Sequence, residues 1–110
     1  MPNASPATVC APVFAALGDE TRLRIVSRLR DGQPRSIAAL STGEAVTRQA
    51  ITKHLRVLEG AGLVRSSRHG RELHWDLERA RLDDARAWID DLSRQWDVAI
   101  EKLRAFVEED

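Results

Sequence analysis

Arg48, Gln49, Thr52 and Lys53 fall within one short segment, Thr47-Arg-Gln-Ala-Ile-Thr-Lys-His-Leu55, among apolar residues that a helix would bury. Arginine can pair bidentately with guanine, glutamine with adenine, and a threonine hydroxyl can bond a base or a phosphate. Downstream, Lys53, Arg56, Arg65, Arg68 and Arg71 offer charge that would neutralise phosphate, and His54 and His69 are further candidate phosphate or base contacts. Between residues 46 and 75 there are 6 basic and 2 acidic side chains. The chemistry on offer is recognition of double-stranded DNA. The plainer alternative is that these charges only solvate an exposed helix and hairpin.

Other chemistries find little support. None of the three histidines, His54, His69 and His74, stands at the i,i+4 spacing of a helical metal site, and His74 reads as a surface residue. Cys10 is the single cysteine, which excludes an internal disulfide framework and a thiolate cage within one chain. It reads as an inert thiol in a proline-flanked arm, without a neighbouring base or oxyanion site. No glycine-rich phosphate loop, paired-carboxylate site or dinucleotide fingerprint occurs. No catalytic residue, metal ligand or cofactor is therefore assigned, and an enzyme is not expected.

The elements that must position the basic residues follow from periodicity. Residues 1–8 read as a flexible N-terminal arm, and residues 9–110 as one domain. A short helix is expected over Pro12–Leu17. Asp19 caps the next, with Leu23, Val26 and Leu29 inward, Ile25 flanking, and Arg22, Arg24, Arg28 and Arg30 facing water. Ser36–Thr42 forms a third helix. From the Thr47 cap runs a fourth, Arg48–Gly60, burying Ile51, Leu55 and Leu58. The period then changes from 3.6 to 2: Leu63–Arg68 and Glu72–Leu77 read as a hairpin whose buried face carries Leu73, Trp75 and Leu77. A last helix covers Asp83–Val107.

Helix, short helix, turn, polar-faced helix and basic hairpin make a mainly α winged helix-turn-helix with five helices. In that module the second helix of the pair enters the major groove and the hairpin reaches the neighbouring backbone. Asp19-Glu-Thr-Arg-Leu-Arg-Ile-Val26, Thr47-Arg-Gln-Ala-Ile-Thr-Lys-His-Leu55 and Ala61-Gly-Leu-Val64 resemble the ArsR/SmtB family of winged-helix repressors. The resemblance runs over roughly residues 12–107. It implies a homodimer bound to an imperfect palindromic operator, released by a signal, with recognition positions at Arg48, Gln49, Thr52, Lys53 and His54. The segment between Leu40 and Thr47 is longer than the family's usual tight turn. Some relatives sense metals through a Cys-x-Cys pair or through Asp and His on the last helix. Here Ser36–Ser41 holds no thiolate and the last helix has no His or Cys, so a metal sensor is not expected.

The charge balance fits that layout. The 110 residues carry no net charge, yet residues 1–82 hold 13 basic and 8 acidic side chains while residues 83–110 hold 4 and 9. An acidic last helix stays clear of DNA and suits dimerisation. Trp88, Leu92, Trp96 and Leu103 on that helix, with Val13, Phe14 and Leu17 from the first, are the expected dimer contacts. No stretch reaches the roughly 18 apolar residues of a membrane span. Val9–Leu17 lacks the preceding positive charge of a secretion signal, so a cytoplasmic protein is expected. The competing function is a winged helix used only for protein–protein contact. A small-molecule inducer, oxidation of Cys10 and simple protein concentration remain open as the releasing signal.

Overall fold

The computed structural model describes residues 5–109. Its elements run α1 (Pro6–Leu17), α2 (Glu20–Arg28), β1 (Arg35–Ser36), α3 (Ile37–Ser41), α4 (Arg48–Gly60), β2 (Val64–His69), β3 (Glu72–Leu77) and α5 (Arg79–Glu108). Four of the helices have a side-chain cap at the start. Ser5 Oγ accepts from the Thr8 N–H at 3.2 Å and Asp19 Oδ2 from Arg22 at 3.1 Å. Ser36 Oγ accepts from Ala39 at 3.2 Å and Thr47 Oγ1 from Ala50 at 3.1 Å. The Arg22 N–H holds the Asp19 carboxyl below the usual carboxylate range.

The first helix begins earlier than its sequence suggests. Ser5 caps it and Pro6 occupies the first turn, where a proline costs nothing. Pro12 therefore sits in the helix interior, not at its start. Residues 6–8, expected in a flexible arm, are helical, and residues 1–4 lie outside the described residues. The same shift corrects Cys10, which is not on an arm but buried on α1, only 2% exposed. The last helix also starts early, at Arg79 instead of Asp83.

One core unites the elements. It comprises Val13 and Ala16 of α1, Ile25 and Leu29 of the α2 turn, Leu40 of α3, and Ile51, Leu55 and Leu58 of α4. Leu63, Val64, Trp75 and Ala85 complete it. The α4 stripe is as expected, but that of α2 is rotated. Ile25 and Leu29 are fully buried one turn apart, while Leu23, about 200° round the helix from Ile25, is 50% exposed. Val13, expected at a partner surface, is fully buried within the chain and serves its core instead.

Strand β3 is the centre of a three-stranded sheet. It pairs antiparallel with β2 from Val64↔Leu77 to His69↔Glu72, and on its other edge with β1 through Arg35↔Trp75 and Ser36↔His74. The two-residue β1 is too short to show any alternation in sequence. The hairpin turns over Gly70-Arg71, and Gly70 takes the positive φ of 64° that such a tight turn asks of glycine.

The 30-residue α5 would be about 45 Å long at 1.5 Å per residue. Its N-terminal part packs on α1, with the Phe14 and Trp88 rings edge to face at 5.7 Å. From Arg86 to Glu109 every residue is exposed. The radius of gyration is 18.8 Å, against about 13 Å for a compact chain of this length. The projecting helix accounts for the difference.

Candidate nucleic-acid interface

The turn between α3 and α4 is fixed by a carboxylate. Arg24 Nε donates to both oxygens of Glu44 at 3.2 Å, and its Nη2 to Oε1 at 3.1 Å. Arg28 Nη2 lies 3.5 Å from Oε2, and its Nη1 donates to the Leu40 carbonyl at 3.2 Å. The Glu44 side chain is only 3% exposed. Hydrogen bonds from Arg24 hold its carboxyl below the usual range, and Glu44 in return raises Arg24. Two α2 arginines expected to face water thus anchor the turn that leads into α4.

Along α4 the groove-facing candidates separate into two groups. Arg48, Gln49 and Lys53 are exposed, and their side chains have no hydrogen-bonding or ionic partner among the described residues. Thr52 is half-buried and its hydroxyl donates to the Arg48 carbonyl at 2.9 Å, which leaves its lone pairs free to accept. His54 and Arg56 are turned elsewhere. His54 Nδ1 stands 3.3 Å from Arg22 Nη1 and 3.9 Å from Asp19 Oδ2, so it joins α4 to the start of α2. Arg22 itself donates through Nε to the Ala16 carbonyl at 2.6 Å.

Arg56 pairs with Glu59 at 2.9 Å and lies 5.0 Å over the ring of Trp75. Glu59 also accepts from the Ser66 hydroxyl at 3.1 Å. This cluster ties α4 to the sheet, and it occupies a guanidinium expected to meet phosphate. Trp75 Nε1 is buried without a partner among the described residues. Arg65 is likewise engaged, with Asp76 at 3.2 Å and Glu78 at 3.2 Å; its hydrogen bond to Asp76 raises its basicity further.

At the tip of the hairpin, Arg68, His69 and Arg71 are exposed, and Arg68 and Arg71 have no ionic partner among the described residues. The His69 and His74 rings stack, with centroids 4.4 Å apart and planes at 13°. The structure therefore presents two basic surfaces, one on the outer side of α4 and one on the wing. Arg22, Arg24, Arg28 and Glu44 are the positioning residues that periodicity missed, because ion pairs between elements leave no repeat in the sequence.

A cleft of about 290 Å³ lies where α1 meets α5, lined by Ala7, Cys10, Ala11, Phe14 and Trp88. Among the described residues no three His, Cys, Asp or Glu side chains cluster closely enough to hold a metal ion. Nor is any helix long and apolar enough to cross a membrane.

The family profile of a helix-turn-helix domain matches residues 17–67, the span from the end of α1 into β2. Over 87 residues the chain is 36% identical to the HTH-type transcriptional regulator Rv2034 of Mycobacterium tuberculosis (strain ATCC 25618 / H37Rv), covering 79% of this chain and 78% of that one. An ArsR-like transcriptional regulator from Rhodococcus sp. RHA1 superposes with a TM-score of 0.75 at 36% identity, over 89% of this chain and 92% of that one. The chain belongs to the ArsR-like helix-turn-helix transcriptional regulators. YuzN, an HTH-type transcriptional regulator of Bacillus subtilis (strain 168), is 43% identical over 65 residues, which are 54% of this chain and 71% of YuzN. Relatives and fold alike are those of an ArsR-like regulator and not of an enzyme. Within that fold α4 is the second helix of the helix-turn-helix and the β2–β3 hairpin follows it as the wing.

Proposed function

We propose that this ArsR-like regulator is a homodimeric repressor that binds a palindromic operator in double-stranded DNA. The observation that carries the reading is the basic and amide row of α4, Arg48, Gln49 and Lys53, without hydrogen-bonding or ionic partners among the described residues, matched by Arg68 and Arg71 on the wing. Side chains that the protein ties to nothing else are available to base edges and phosphates. Arg48, Gln49 and Thr52 read bases, while Lys53, Arg68, His69 and Arg71 hold the backbone. His54 and Arg56 act indirectly, by setting the pose of α4 against α2 and the wing.

The dimer is inferred from α5. Leu92 is 52% exposed, Trp96 66% and Leu103 60%, a stripe that continues from Trp88 along one helix. So large an apolar run on a free helix asks for a partner. Phe14 of α1 lies against Trp88 at its start, and Leu17 joins the seam from the end of α1. The acidic charge of this helix keeps the seam on the side away from DNA, and the protein works in the cytoplasm, where that DNA is. The test is fluorescence anisotropy at low salt with the DNA upstream of the protein's own gene. Saturable binding that survives mixed-sequence competitor supports the reading, and its absence sinks it.

A further inference from the structure

We infer that the stacked His69–His74 pair is a proton-linked phosphate contact, so that the wing grips DNA more tightly as pH falls. The inference rests on the DNA-binding reading above and assigns a chemistry to one part of that surface. His74 lies opposite Ser67 in the β2–β3 ladder and His69 opposite Glu72, so all four side chains share one face of the sheet. The two rings meet diagonally across the strands, 4.4 Å apart and nearly parallel. Ser67 Oγ lies 3.1 Å from His69 Nε2. That hydroxyl can donate to a neutral ring or accept from a protonated one, so the pair can gain a proton without losing its support.

The surroundings decide the sign. Arg65 on the same face is already neutralised by Asp76. On the β1 side His74 faces Ser36, which is uncharged, and α3, packed against β1 and β3, carries no charge at all. The free charges near the pair are Glu72 on this face, and Arg68 and Arg71 at the tip. With both imidazoles neutral, Glu72 opposes an approaching phosphate. With them protonated, Glu72 is offset and the wing adds cations to Arg68 and Arg71. Two imidazolium rings this close repel one another, and a phosphate oxygen beside them relieves the repulsion. Binding DNA therefore takes up protons. The only other histidine, His54, is held on α4 between Arg22 and Asp19.

Because phosphate contact is independent of sequence, the probe is a mixed-sequence duplex of about 30 base pairs at fixed low ionic strength. Its dissociation constant is measured from about pH 8 to about pH 6 for the wild type and His69→Asn/His74→Asn. Calorimetry of the wild type in buffers of different ionisation enthalpy counts the protons taken up. Affinity is expected to rise about fivefold over that range in the wild type, with proton uptake, and to change less than about twofold in the double variant. A pH slope that survives in the double variant, or wild-type binding with no proton uptake, overturns the inference. Absence of binding at every pH instead overturns the DNA-binding reading, and the inference with it.

Discussion

Glu44 and Arg24 stand 20 residues apart in the chain, yet both carboxylate oxygens accept from one guanidinium, at 3.2 Å each from Nε. The pair joins the turn before α4 to α2, which is itself locked into the core by Ile25 and Leu29. Through it the N-terminal end of α4, where Arg48 and Gln49 project, takes its position from the protomer's rigid body. The DNA interface proposed on α4 gains from a helix held in place before DNA arrives, since ordering it on binding would cost affinity.

The Glu44 clamp makes stability acid-sensitive. Its carboxyl ionises below the ordinary value of 4.5 when folded. The stabilisation is therefore complete above that ordinary value and is lost as pH falls through it toward the folded one. Thermal unfolding followed by circular dichroism should show a melting temperature that drops below about pH 4.5 in the wild type. Glu44→Gln should melt lower at neutral pH and lose part of that acid dependence. An unchanged acid profile in Glu44→Gln would place the sensitivity elsewhere.

Base reading and phosphate holding separate by mutation. Arg48→Ala should cost about 1–3 kcal/mol on the preferred site and relax preference at one base position. Arg71→Ala should weaken all sequences alike and make the salt slope shallower by about one unit. Arg56→Ala should leave the salt slope in place, because its guanidinium is held over Trp75 and against Glu59. Titrations of binding against salt distinguish the three.

Dimerisation and folding should also separate. Leu92→Glu with Trp96→Glu alters residues that the protomer does not bury, so the far-ultraviolet spectrum should stay helical. Sedimentation should show a monomer, and operator affinity should fall by about a hundredfold, since two half-sites no longer bind as one. Trp75→Ala, by contrast, empties the largest fully buried site and should cost about 3–5 kcal/mol of stability. A wild-type monomer at micromolar concentration would contradict the assembly.

Metal ions should not act as the signal. Zinc, copper, cadmium and arsenite at micromolar levels are expected to leave operator affinity within tenfold of its starting value in gel-shift titrations. The soft ligands such ions prefer are confined to one buried thiol and three histidines, of which two stack in the wing and one faces Arg22. A larger effect, lost in Cys10→Ser, would reveal a thiolate site between protomers.

Most of the fold was legible because it rests on local signals. Thr47 and Asp19 mark helix starts by their caps, the 51/55/58 spacing marks the buried side of α4, and the alternation around Trp75 marks the hairpin. The start of α1 was obscured because Pro12 offers a second first-turn signal, six residues after the real one at Pro6. The candidate site was only half legible. Residue type pointed to Arg48, Gln49, Arg68 and Arg71, but it could not separate them from Arg56 and Arg65, whose charges are consumed by Glu59, Asp76 and Glu78. Which arginine is free depends on pairs set by the tertiary fold, and no helical or strand period encodes them.

Selection from a random duplex pool, run in parallel with wild-type protein and Arg48→Ala, tests the central claim most directly. The wild type should enrich an inverted repeat whose half-sites lie about one or two helical turns apart, as a two-fold dimer with one recognition helix per half-site requires. Arg48→Ala should enrich the same repeat with one symmetric position degenerate. Enrichment of no motif by the wild type at low salt, or of the same motif by both proteins, would contradict the assignment of α4 as the element that reads DNA.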